Sequence, residues 1–113
     1  MRIGYRTIDE VNRYFAQRLA AAHRARLCPL EAGNIPQEGK FDLVIYDFDF
    51  LPSDEQASVV HQLLSMAARP ARRIVVHGHN LDENVRDSLK ARGVRVLRML
   101  VPNMFKYLQP PAA

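Results

Sequence analysis

FDLVIYDFDFLP, residues 41–52, decides how this chain is read. Leu43, Val44, Ile45 and Tyr46 form a continuous apolar run of the kind found in strands buried on both faces, and the run ends abruptly in two carboxylates, Asp47 and Asp49. Open α/β sheets gather their chemistry at the carboxyl ends of strands. The pattern returns in RIVVHGHN, residues 73–80, where Ile74, Val75 and Val76 lead into His77 and His79. Both runs are expected to bring polar groups to one edge of the same sheet.

Working outward, strands and helices alternate. Arg2 to Arg6 reads as a short opening strand, and Thr7-Ile8-Asp9-Glu10 has the spacing of a capping box that starts a helix running to about Leu27. Its apolar stripe is Val11, Phe15, Leu19 and Ala22, with long arginines at the margin. Cys28 to Leu30 is a very short second strand. EAGNIPQEGK, residues 31–40, carries two glycines and a proline and reads as a loop standing where a longer protein has a helix.

After the third strand, Ser53-Asp54-Glu55-Gln56 offers another capping box, and Val59, Val60, Leu63, Leu64 and Ala67 make a buried helical face stopped at Arg69-Pro70. Arg72 to His77 is the fourth strand. Asn80 opens a helix with Val85 and Leu89 on its apolar stripe and Gly93 at its end, and Val94 to Val101 is the last strand. Residues 102–108, PNMFKYL, suit a short final helix packing Met104, Phe105 and Leu108. The alternation with short connections predicts right-handed crossovers and a parallel sheet covered on both faces.

A chain of 113 residues fits one domain, expected over residues 1–108 with a frayed proline-rich tail at 109–113. Cys28 is the only cysteine, which excludes an intrachain disulfide and a cysteine-zinc cluster and suits a reducing cytoplasm; it reads as a small apolar residue of the second strand. No apolar run reaches the length of a membrane span, and the amino terminus lacks the layout of a signal peptide, so a cytoplasmic protein with no membrane partner is expected. Sixteen basic residues, mostly arginine, against twelve acidic ones give a net charge of +4. The arginines are not interleaved with aromatics as in single-strand binders, so a solvated basic face is expected and nucleic acid is not the expected partner. Arg6-Thr7-Ile8-Asp9 holds no glycine, which argues against a dinucleotide site after the first strand.

These segments resemble the receiver domain of bacterial response regulators. DLVIYDFDFLP is similar to the receiver's third strand and the aspartate that accepts phosphate, RIVVHGHNLDENVRDSLKARGV to its fourth strand and following helix, and LVPNMF to the end of its fifth strand. The resemblance implies a three-layer flavodoxin-like (CheY-like) fold, a parallel five-stranded sheet in the order 2-1-3-4-5, with one helix shortened or missing after the second strand. It puts Asp47 at the phosphoacceptor position, with Asp49 as the alternative because Pro52 lies one residue late. Receivers also carry an acidic pair for Mg²⁺ after the first strand, a Ser or Thr after the fourth and a Lys before the final proline. Arg6 and Thr7, His77 and Val101 hold those places here.

Aspartyl phosphorylation uses Mg²⁺ to offset phosphate charge, and a guanidinium in the metal's place repels it. The sequence therefore suggests a degenerate receiver, a pseudo-receiver, in which Arg6 pairs with Asp47 and holds one state, a two-component signalling module that binds protein without catalysis and without phosphorylation. By the same resemblance, the face of the fourth helix, fifth strand and final helix is the expected interface, with Arg95, Arg98, Met99, Met104, Phe105 and Tyr107, and the partner is another protein or a second copy. No cofactor is expected on this reading. The alternative is a divalent metal held by Asp47, Asp49, His77 and His79 in a small metal-dependent hydrolase, because residues two apart in a strand face the same way.

Overall fold

The computed structural model describes residues 1–99, so Val101, Met104, Phe105, Tyr107, the expected final helix and the expected tail lie outside the described residues. The elements are β1 (Arg2–Arg6), α1 (Glu10–Ala22), β2 (Arg26–Pro29), β3 (Leu43–Asp47), α2 (Ser53–Leu64), α3 (Ala68–Ala71), β4 (Ile74–His77), α4 (Glu83–Arg92) and β5 (Arg95–Leu97). All strand pairs are parallel, in the order β2-β1-β3-β4-β5. This is the expected flavodoxin-like sheet, and the segment between β2 and β3 is a loop rather than a helix.

Every residue of β3 and β4 is buried, because helices cover both sides of the two central strands. Alternation sorts them into two layers. Ile3, Tyr5, Leu43, Ile45 and Val75 pack with Ala16 and Ala20 of α1. Val44, Tyr46, Ile74 and Val76 pack with Val59 and Leu63 of α2 and Leu89 of α4. Burying a Leu or Ile side chain contributes roughly 2 kcal/mol each, so these central strands dominate the hydrophobic term. Gly4 sits in β1 because Leu30 lies over it, and a Cβ there would stand 2.9 Å from Leu30 Cδ1. The long loop is fastened to the core from two sides, by Arg73 donating to the Pro36 carbonyl and by Ile35 N–H donating to Gln62 Oε1.

Several boundaries differ from the expectation. α1 is capped by Asp9, whose carboxylate accepts from Asn12 N–H, and the helix ends at Ala22 instead of Leu27. The five residues released include the start of β2, which runs Arg26–Pro29 and includes the half-buried Cys28. α2 begins after Pro52 with no side-chain cap; Gln56 instead donates to the carbonyls of Phe48 and Leu51 and fixes the turn that follows Asp47. Pro70 lies inside the short helix α3, and α4 is capped by Asp82 rather than Asn80.

Candidate functional site at the carboxyl edge of the sheet

The parallel register sets Asp47 directly beside His77 at the ends of β3 and β4. Both side chains are buried on the α1 side of the sheet, where Thr7 closes the end of β1. Asp47 is fully enclosed by donors. Its Oδ2 accepts from Thr7 Oγ1 at 2.7 Å and from Asn12 Nδ2 at 2.9 Å, and its Oδ1 accepts from the Asp49 backbone N–H at 3.0 Å. Thr7 is held in turn by Asp9 N–H, which donates to its hydroxyl at 3.0 Å. The Thr7 hydroxyl is thus spent on Asp47 and the turn, which is why Asp9 and not Thr7 caps α1.

The expected Arg6–Asp47 pair does not form. Arg6 pairs with Tyr46 in the register, so period-two alternation turns it to the opposite face of the sheet from Asp47. There it makes a bidentate ion pair with Glu55 of α2, Nε to Oε2 and Nη2 to Oε1, both 2.7 Å, with both side chains mostly buried. The hydrogen bond to Glu55 raises the Arg6 pKa further above its ordinary range. Residue 7, not residue 6, shares the face of Asp47.

His77 is wedged between Tyr5 and Asp47. Its Nε2 lies 2.8 Å from Tyr5 Oη, and its Nδ1 has no hydrogen-bond partner and stands 3.8 Å from Asp47 Oδ1. Burial lowers the His77 pKa, against the opposing pull of Asp47 and Asp49, so the ring is held toward its neutral form. Burial, reinforced by Asp47, raises the Tyr5 phenol far above its usual range, which keeps its proton on. A protonated Tyr5 hydroxyl donating to Nε2 leaves the ring proton on Nδ1, facing the Asp47 carboxylate.

Asp49 lies at the mouth and is tied to β4's exit loop, accepting from His79 N–H at Oδ1 and contacting His79 Nδ1 at Oδ2, both at 2.8 Å. His79 is half exposed. Carboxylate and imidazole atoms of Asp47, Asp49 and His77 all come within 4.8 Å of one another, so the structure brings together three of the four residues read as metal ligands, with His79 bracing Asp49 from outside. A cavity of about 290 Å³ opens over Asp49 and His77, lined also by Asn12, Phe15, Phe50, His79 and Met99. A larger groove of about 510 Å³ between α2 and α4, lined by Phe48, Val60, Leu64, Leu81 and Val85 together with polar residues such as Gln56 and His61, holds none of these groups.

Tyr5, Asn12 and Glu55 were not singled out by the sequence reading. Tyr5 had a signal, since it alternates with Ile3 and Thr7 and a buried tyrosine seeks a partner for its hydroxyl. Of the expected interface, Arg95 is partly buried at the start of β5, while Arg98 and Met99 are exposed beyond it.

The strand order is that of the receiver fold. No family model matches the sequence, and no curated protein matches it. Solved structures do. The chain is similar to the ChxR receiver domain of Chlamydia trachomatis at 18% identity and a TM-score of 0.58, covering 94% of this chain and 91% of that one. It is similar to the receiver domain of a sensor histidine kinase from Pseudomonas aeruginosa, which has a magnesium ion coordinated in its active-site cleft, at 13% identity and a TM-score of 0.65, over 95% and 92% of the two chains. A response regulator protein from Burkholderia multivorans matches at 14% identity and a TM-score of 0.64, over 99% and 97%.

Proposed function

We propose that this chain is a receiver-like signalling domain that works by binding protein and does not use aspartyl phosphorylation. The observation that carries this reading is the state of Asp47, which is 0% exposed and has both oxygens engaged by Thr7, Asn12 and the Asp49 amide. Attack on a phosphodonor requires a carboxylate oxygen free to reach phosphorus in line, and charge neutralisation requires a divalent cation beside it. Thr7 takes the face where the resemblance implies a metal-binding carboxylate, and it puts a hydroxyl donor on Asp47 Oδ2 where a receiver-type magnesium ion would call for an anionic ligand.

Contact through the surface is supported by apolar exposure at the same end of the molecule. Ile8, Val11, Tyr14 and Phe15 along the start of α1 join Phe50 and Met99 as exposed large apolar side chains. A protein partner or second copy covering them would bury surface that water otherwise meets. Arg98 and Met99 extend this surface toward β5. Among the described residues no helix is long and apolar enough to cross a membrane.

The test is treatment of the protein with acetyl phosphate and Mg²⁺, followed by intact-mass spectrometry, and a beryllium fluoride titration read by backbone amide NMR. The expected result is no phosphoryl adduct and no shift at Asp47 or Thr7. A stable acyl phosphate on Asp47 sinks the reading.

A further inference from the structure

We propose that Asp47, Asp49 and His77 form a binding site for a transition-metal cation of the zinc type, set on the β3–β4 side of the pocket. The argument begins with His77 Nδ1, a polar atom buried at the end of β4 with no hydrogen-bond partner. Buried polar atoms are almost always satisfied, and an orphan aimed at a carboxylate is a vacancy in the donor–acceptor pattern. Nδ1 stands 3.8 Å from Asp47 Oδ1. Two ligand atoms about 2.1 Å from one tetrahedral ion lie about 3.4 Å apart, so a shift of a few tenths of an ångström completes that edge.

Three further features fit a cation. The far ring nitrogen, Nε2, is bound to Tyr5 Oη at 2.8 Å, which fixes the ring plane in the way that outer partners orient ligating histidines. Asp49 is braced by both the amide and the ring of His79, so its carboxylate is held at the mouth. Among the described residues neither Asp47 nor Asp49 is paired with a lysine or arginine, since Arg6 is committed to Glu55 on the other side of the sheet. The cavity above Asp49 and His77 supplies an entry path and room for a water ligand.

The donor set selects the metal. An imidazole with two carboxylates suits zinc and its neighbours, whereas Mg²⁺ takes oxygen ligands and keeps its water shell. Binding through Nδ1 moves the ring proton to Nε2, which then donates to Tyr5 Oη, so occupancy exchanges one neutral tautomer for the other.

Calorimetric titration with ZnCl₂, beside ¹⁵N NMR of the histidine rings, tests this. The expected result is one zinc per chain, a shift of the His77 Nδ1 resonance to that of a ligated nitrogen, at least tenfold weaker binding in Asp49→Asn, and no displacement by a hundredfold excess of Mg²⁺. Asp49 lies at the surface, so this variant leaves the core intact; Tyr5→Phe, which keeps the ring, is expected to weaken binding about tenfold through the lost brace. No heat at millimolar zinc overturns the proposal. So does zinc binding that survives Asp49→Asn with the His77 resonances unmoved, which would put the ion on surface histidines, and so does Mg²⁺ competing at equal concentration.

Discussion

Thr7 and Arg6 are neighbours in sequence with opposite assignments, and the division comes from one residue of strand parity. Thr7 sits on the Asp47 face and binds its carboxylate, while Arg6 is on the other face and binds Glu55. Thr7→Val keeps the shape and removes the donor. It should cost about 2 kcal/mol in urea unfolding, the usual worth of a hydrogen bond to a charged group, and a change below about 0.5 kcal/mol would show that Asn12 and the Asp49 amide satisfy Asp47 without it. His77 makes a second prediction. Its folded pKa is lowered by burial, so below the ordinary histidine range the unfolded chain binds more protons than the folded one. The neutral-His contribution is present near pH 7 and above. It is lost as pH falls from the unfolded His pKa toward the lower folded value. In metal-free protein the urea midpoint should therefore fall between pH 7 and pH 5, and the slope should flatten in His77→Gln. An equal slope in the variant would assign the effect to other groups.

At the scale of elements, two helices end in the same way and only one of the ends was legible. α4 closes with Gly93 N–H to Lys90 O and Val94 N–H to Leu89 O, with Gly93 at φ +97°, and the glycine announces it. α1 closes with Arg24 N–H to Ala21 O and Ala25 N–H to Ala20 O, and the left-handed position is held by Arg24 at φ +56°. An arginine carries no such signal, so in the sequence the apolar period reads on to Leu27. Arg24→Gly should stabilise the protein by about 0.5–1 kcal/mol, the relief of left-handed strain exceeding the entropy cost of glycine, and should lower it instead if the exposed side chain matters more than the backbone. The central strands were legible because burial on both faces leaves uninterrupted apolar runs, which also located Asp47 and His77 at one edge. Their partners were not, because a strand's sequence fixes which residues share a face but not which face of β1 meets which face of β3. Thus the sequence places both Arg6 and Thr7 at the pocket but pairs the wrong one of them with Asp47. The Arg6–Glu55 pair ties β1 to α2, and a double-mutant cycle of Arg6→Met with Glu55→Gln should return a coupling of about 1–3 kcal/mol. A coupling near zero would make the pair a surface ornament despite its geometry.

On the scale of the whole molecule, cation binding and global stability are linked, so the chemistry at one sheet edge can be read from the unfolding of the entire chain. A receiver-type magnesium site tolerates clustered carboxylates because the ion offsets their repulsion. On the proposed reading Thr7 stands in place of one member of such a cluster and supplies a hydroxyl donor to Asp47. Thr7→Asp reverses the arrangement. It deletes the hydroxyl donor and sets a second carboxylate against Asp47, a like-charge contact of up to about 4 kcal/mol at roughly 4 Å and an effective dielectric near 20. The variant should be markedly destabilised in the absence of divalent cations and should recover about 1.4 kcal/mol when Mg²⁺ is raised to about ten times its dissociation constant. The parent protein, with its carboxylate already satisfied, should show no magnesium dependence across the same range. Equal stabilisation of both chains by Mg²⁺ would mean that Thr7 does not exclude the ion, and the phosphorylation-independent reading would lose its electrostatic basis.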